Sequence, residues 1–304
     1  MPIDPVIAAR LGSVTDEVPL GEALRDLTAR YRTPEAKIEE RAIDGPHGPI
    51  RIRLYRPLGA GRARRGLLWL HGGGWARGDL DMPEAHAVGA ELAADPGVVV
   101  ASVDYRLASE TSRYPVPLDD VHTAWRWFTD ATAELGTDPG RLALGGCSAG
   151  ANLAAGAAVR ARDEGDAMPS ALLLVYPFLH FPVPASPDDL IADLTALPER
   201  LRFTAETVLS LTRGYVGRVS DVPAHAMPGN GVVDGLPPTS IVLSELDELR
   251  ASGELFARQL KERGIPVTTM LARGMPHGHL NVPPVDEIPE IRRSIDFLAA
   301  ALGR

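Results

Sequence analysis

A single cysteine, Cys147, stands in 304 residues, so no internal disulfide is available and the chain places no demand on an oxidising compartment. No apolar run approaches ~18 residues, the usual minimum for a membrane span. The start, Met1-Pro2-Ile3-Asp4-Pro5, has neither the basic residues nor the apolar core of a signal peptide. Positive charge is in deficit: the formal net charge of −9 argues against a nucleic-acid partner and against binding to an anionic membrane surface. Internal repeats, low-complexity tracts and a nucleotide-binding Gly-x-Gly-x-x-Gly pattern are also missing. These absences point to a soluble, cytoplasmic chain without a nucleic-acid or membrane partner, and they leave a homodimer open.

The apolar fraction of 45% and charged fraction of 23% are those of an ordinary globular protein, long enough for one large α/β domain with an appendage. Residues 1–35 read as weakly amphipathic helix, with Leu20, Leu24 and Leu27 on one face. From 37 the period changes to that of a hairpin, 37–43 and 50–55, around the turn Gly45-Pro46-His47-Gly48-Pro49. Strand and helix then alternate: strand 66–71, helix 83–94, strand 98–103, helix 119–135, a strand at the apolar run 142–144, helix 152–164, strand 171–176. Strict alternation implies parallel strands joined by right-handed crossovers. It breaks over the proline-rich stretch 177–235, where only 205–215 reads as helix, and resumes with strand 239–244, helix 252–263, strand 267–271 and helix 288–302. The expected architecture is an eight-stranded, mostly parallel sheet flanked by helices. Residues 36–176 and 236–304 form its core, and 1–35 and 177–235 form a helical cap.

The chemistry centres on Gly146-Cys147-Ser148-Ala149-Gly150, a Gly-x-Ser-x-Gly pattern between a buried strand and an Ala-rich helix. A serine there occupies a tight turn at the carboxyl end of a strand, with small neighbours that let the backbone fold back. Alone, the pattern could be a glycine-rich connector. Upstream, however, His71-Gly72-Gly73-Gly74 follows another buried strand, and three successive glycines can turn two N–H groups toward one point. Downstream, Asp247 and His277 each lie just past one of the last strands, in the chain order Ser, Asp, His expected for an acid and base serving such a serine. His180 and His279 remain candidates for a pocket, and a His277/His279 metal pair lacks a third ligand at a workable spacing. Cys147 sits one residue before the apex and reads as a buried packing thiol.

Taken together, the chain resembles the hormone-sensitive-lipase family of bacterial α/β-hydrolases. The match is carried by 71–75 (HGGGW), 104–110 (DYRLASE), 146–153 (GCSAGANL), 235–238 (GLPP), 247–250 (DELR) and 277–278 (HG). The resemblance implies the α/β-hydrolase fold and a cofactor-free esterase of short-chain carboxylic esters. It further implies Ser148, Asp247 and His277 as triad and the N–H groups of Gly72, Gly73 and Ala149 as oxyanion hole. The expected pocket lining is Trp75, Phe178, Tyr215 and His279. This chain departs from the family pattern in carrying Cys147 for the usual Asp, Ser109 and Glu248 for Pro, Ala151 for Gly and His279 for Phe. An acetyl-carbohydrate or amide hydrolase would use the same triad, and a ligand-binding shell would be expected to lack the histidine.

Overall fold

In a computed structural model, which describes residues 3–15, 18–59, 65–95 and 97–303, the chain forms one eight-stranded sheet in the order β1-β2-β4-β3-β5-β6-β7-β8. The N-terminal segment contributes α1 (Pro5–Ala8), α2 (Leu20–Ala23) and α3 (Arg25–Thr28). It is not the continuous helix expected: each piece is one turn, and the chain leaves helical geometry at Leu24 (φ −105°, ψ 10°). Leu20 and Leu24 are nevertheless buried, as their spacing required. Residues 1, 2, 16 and 17 of that segment lie outside the described set.

Strands β1 (Lys37–Ile43) and β2 (Ile50–Arg56) form the antiparallel hairpin, and β2 pairs antiparallel with β4 (Val98–Asp104). The remaining pairings, among β3 (Arg65–Leu70), β4, β5 (Leu142–Cys147), β6 (Ala171–Val175), β7 (Thr239–Leu246) and β8 (Val267–Pro276), are parallel. The central strands are apolar on both faces because helices cover both. On one face, α4 (Pro83–Ala93) and α11 (Pro289–Leu302) bury Val88, Leu92, Ile291, Ile295 and Leu298 against Trp69, Val100 and Cys147. Opposite them lie α5 (Val116–Asp130), α7 (Ala149–Glu164) and α10 (Arg250–Glu262); the single turn α6 (Thr132–Leu135) follows α5. Within the insertion the structure adds α8 (Asp188–Thr195), which the sequence reading missed, to the anticipated helix, α9 (Ala205–Val216).

Two local features place the chemistry. At the end of β5, Ser148 adopts φ 52° and ψ −116°, in the left-handed half of φ that costs a non-glycine residue energy, and α7 begins at the next residue, three earlier than expected. The turn closes because α7 lies directly on β3: a Cβ on Gly150 would sit 2.3 Å from the His71 carbonyl oxygen and 2.4 Å from that of Leu70. At the sheet edge, β8 runs five residues past its expected end. After a bulge between Ser244 and Leu246, Leu246 pairs with Pro276, so Asp247 and His277 leave adjacent strands side by side. Side-chain carboxylates complete that edge, Glu245 accepting from the Gly274 N–H at 2.7 Å and Glu290 from the Arg273 N–H at 2.9 Å.

The close approach at α7 makes a testable contrast. Helix propensity alone favours alanine over glycine by ~1 kcal/mol. Gly214, exposed in α9 with nothing within 4 Å of its built Cβ, should follow that rule, so Gly214→Ala is expected to raise the urea midpoint. Gly150→Ala should reverse the sign and cost roughly 2 kcal/mol or more, since backbone carbonyls must move. Equal midpoints for the two variants would contradict this packing.

Candidate active site

Ser148, His277 and Asp247 form one hydrogen-bonded line. Ser148 Oγ lies 2.8 Å from His277 Nε2, and His277 Nδ1 lies 2.7 Å from Asp247 Oδ2. Asp247 is fully buried, and its other oxygen accepts the Leu249 N–H at 2.9 Å. An acidic partner on Nδ1 places the ring proton there, which leaves Nε2 free to accept from the serine hydroxyl. The imidazole packs against the rings of Phe203 (ring centroids 4.3 Å apart) and Tyr176 (4.8 Å), which restrict its orientation. The sequence reading identified neither ring as a neighbour of the histidine.

The backbone donors expected beside the serine need one correction. The N–H of Gly72 donates to Glu84 Oε1 at 2.6 Å and is therefore engaged. Among the described residues, the N–H groups of Gly73, Gly74 and Ala149 have no protein acceptor, and Gly73 and Gly74 line the cavity with Ser148. Ala149 is the first residue of α7, where an unpaired donor and the positive end of the helix dipole coincide. Positive φ at Gly73 (103°) and Gly74 (61°) turns this loop. It is anchored by His71, whose Nδ1–H donates to the Gly72 carbonyl at 2.8 Å, and by Tyr105, whose hydroxyl donates to the His71 carbonyl at 2.8 Å.

The cavity above Ser148 has a volume of about 620 Å³ and an apolar lining that includes Leu20, Met82, Tyr176, Leu201, Phe203 and Leu211. Arg25, Arg77 and Arg200 also border it. None of Trp75, Phe178, Tyr215 and His279, expected to line the pocket, does so. Trp75 stacks flat on Tyr215 (4.5 Å, 4°) and tilts against Phe178 (5.2 Å), and its Nε1–H donates to Asn152 Oδ1 at 3.3 Å. These three rings are consumed in packing against one another. His279 has no exposed surface. It bridges Ser244 Oγ and Ser294 Oγ at 3.0 Å each, and burial, aided by the nearby His277, pushes its pKa down to about 3. His180 is likewise buried, held by Ser252 and Gln259.

Two other carboxylates near Asp247 are structural. Glu245 is buried on Gly274, while Glu248 accepts from the Phe203 N–H at 2.9 Å and from Arg202 Nε at 3.0 Å, tying the insertion to the end of β7. Cys147 is fully buried, and burial, with Glu84 adding to it, pushes its thiol pKa up, as a packing thiol requires. A group with metal-ligand spacing, His122, Glu164 and Asp166, involves α5 and α7 away from this cavity. Arg160 Nε already holds Glu164 at 2.7 Å, and Arg126 Nε lies 3.8 Å from Asp166.

A buried serine at a strand-to-helix elbow, facing a histidine on an eight-stranded mostly parallel sheet, defines an α/β-hydrolase, and the family model matching residues 67–281 is described as that fold. Esterase LipI of Mycobacterium tuberculosis is 33% identical over 294 residues, covering 91% of this chain and 88% of its own. Carboxylesterase NlhH of the same organism is 34% identical, covering 92% and 89%. The hyperthermophilic esterase from the archaeon Pyrobaculum calidifontis superposes with a TM-score of 0.84 at 31% identity, covering 99% and 98%. The chain belongs to the hormone-sensitive-lipase family of α/β-hydrolases. It is a carboxylic ester hydrolase. Among the described residues, no helix is long and apolar enough to cross a membrane.

His279 makes stability pH-dependent with a definite sign. Its folded pKa of about 3 lies below the ordinary 6.5, so the unfolded chain binds the extra proton. Its contribution is therefore complete above the unfolded pKa and is lost as pH falls toward the folded one. His279→Phe should remove that component. The stability lost between about pH 7 and about pH 5 is expected to shrink by on the order of 2 kcal/mol in urea titrations. Equal losses in the two proteins would contradict the buried neutral imidazole.

Proposed function

We propose that the chain hydrolyses short-chain carboxylic esters by acyl transfer through Ser148, with His277 as base and acid, Asp247 as its orienting partner, and the N–H groups of Gly73, Gly74 and Ala149 as oxyanion donors. The observation that carries this reading is the unbroken line from Asp247 through His277 to Ser148, at 2.7 and 2.8 Å, beside three unpaired backbone donors. As Ser148 Oγ adds to the ester carbonyl carbon, His277 Nε2 takes the hydroxyl proton, and the carbonyl π electrons move to the oxygen that the donors receive. Collapse breaks the C–O bond to the alcohol, which leaves with the proton returned by His277. Water then attacks the acyl-serine, His277 takes its proton, and the acid departs as Ser148 is reprotonated.

Residues 36–176 and 236–304 are the catalytic core in this reading, and 1–35 and 177–235 the cap. Leu20, Gly21 and Arg25 border the cavity from the first capping segment, and Leu201, Phe203 and Leu211 from the second. The apolar lining favours alkyl and aryl esters over acetylated sugars, whose hydroxyls would find few partners there. A non-catalytic binding shell has no use for a histidine hydrogen-bonded to the serine.

Ser148→Ala should lower kcat by roughly 10³-fold or more while the protein stays folded, measured on p-nitrophenyl butyrate. Turnover within about tenfold of the parent would overturn the nucleophile assignment. Across p-nitrophenyl esters from acetate to palmitate, kcat/KM should rise to about four acyl carbons and then drop, since each methylene gains roughly 0.8 kcal/mol only while there is room for it. An optimum at about ten carbons or longer, or a rate jump above the substrate's micelle concentration, would make the cap a lipase lid instead.

A further inference from the structure

The family's usual aspartate beside the nucleophile is Cys147 in this chain, yet the elbow is not without a carboxylate. Glu84, the second residue of α4, is 1% exposed and reaches the same spot from the neighbouring helix. Its Oε1 accepts the Gly72 N–H at 2.6 Å, and its Oε2 accepts the Tyr176 hydroxyl at 2.7 Å and Asn281 Nδ2 at 3.0 Å. Its backbone carbonyl accepts Trp69 Nε1–H at 2.8 Å, which pins the helix start to β3. Among the described residues, no lysine, arginine or histidine forms an ion pair with it. A carboxylate buried among neutral donors is costly unless each oxygen is hydrogen-bonded, and here each is.

The three donors come from the three loops that must agree for the chemistry to work. Gly72 opens the loop of unpaired N–H groups. Tyr176, held at φ 36° at the end of β6, packs its ring 4.8 Å from that of His277. Asn281 closes the short turn that follows His277. With the Gly72 N–H fixed by Glu84 and the Gly72 carbonyl fixed by His71, the next two N–H groups are left to face the cavity.

We propose that Glu84 is the positioning residue of this active site, its carboxylate clamping the oxyanion loop to the loop that bears His277 and taking over from the acidic residue the family carries at position 147. This rests on the reading of Ser148 as nucleophile and of Gly73, Gly74 and Ala149 as oxyanion donors. Because Cys147 packs against Glu84 and Tyr176, the two positions are coupled. One carboxylate between them satisfies the loops, and two would repel each other.

The test is a double-mutant cycle on the full chain, with kcat and KM on p-nitrophenyl butyrate, urea midpoints, and the rate of fluorophosphonate labelling. Glu84→Gln and Glu84→Ala should each lower kcat and the labelling rate on the order of 10²-fold with KM within about threefold, the size expected for misplacing an oxyanion donor. Cys147→Asp alone should also lose activity. Cys147→Asp combined with Glu84→Ala should recover about tenfold or more over Glu84→Ala, a gain that lost packing cannot produce. If Glu84→Ala does not fold, the isosteric Glu84→Gln and the double variant carry the comparison. A Glu84→Gln protein that keeps kcat within about threefold, or a double variant no faster than the slower single, overturns the proposal. Labelling of Ser148 in the unaltered chain reports the nucleophile independently, so a failure there is distinguishable from a failure of Glu84.

Discussion

The structure depends on how closely α7 is allowed to approach the carboxyl ends of β3 and β5. Gly146 and Gly150 face each other across the elbow, and a Cβ on either would come within 2.6 Å or less of a backbone oxygen. That approach forces Ser148 into the left-handed region and lifts its hydroxyl off the strand end. It also brings the start of α7 against the strand that leads into the loop 72–74, two of whose residues, Gly73 and Gly74, line the cavity with Ser148. The strain at one residue is offset by burial of twelve of the sixteen residues of the helix.

Charge is handled differently inside the site and outside it. On the surface, many carboxylates pair with arginines, as Asp104 does with Arg51, and the excess of acidic residues leaves the net negative charge. Around the serine, the carboxylates Asp247, Glu84 and Glu245 are buried and satisfied by N–H and O–H donors and by His277, with no lysine or arginine partner among the described residues. Burial pushes the pKa of His71 and of His279 down. Fixed dipoles of this kind need no reorganisation when charge develops on the substrate oxygen, which is the electrostatic advantage of such a site.

Much of this was legible in the sequence because its signals are local. Glycine spacing announces the elbow and the donor loop, and alternating apolar runs announce eight strands. Ser148, Asp247 and His277 follow from motif and chain order. What escaped is what arises between distant segments. The Gly72 N–H looked free until Glu84, twelve residues on, was seen to occupy it. Trp75, Phe178 and Tyr215 looked like pocket walls because large aromatics near a site suggest one, but they satisfy each other first. Phe203 sits in a proline-rich stretch with no periodicity, so nothing local marks it as the ring against His277. The last strand was cut short because Arg273 and Gly274 interrupt its apolar run, their N–H groups being met by side-chain carboxylates.

Trapping the covalent intermediate addresses the central claim, acyl transfer through Ser148, most directly. The chain is mixed with p-nitrophenyl dimethylcarbamate, whose carbamoyl-serine hydrolyses slowly, and nitrophenol release, esterase activity and the mass of each proteolytic peptide are followed together. The account predicts stoichiometric nitrophenol release, one carbamoyl group on Ser148, and activity that disappears with labelling and returns as the label hydrolyses. A label on Cys147 or on any residue other than Ser148 accompanying the loss of activity would contradict it.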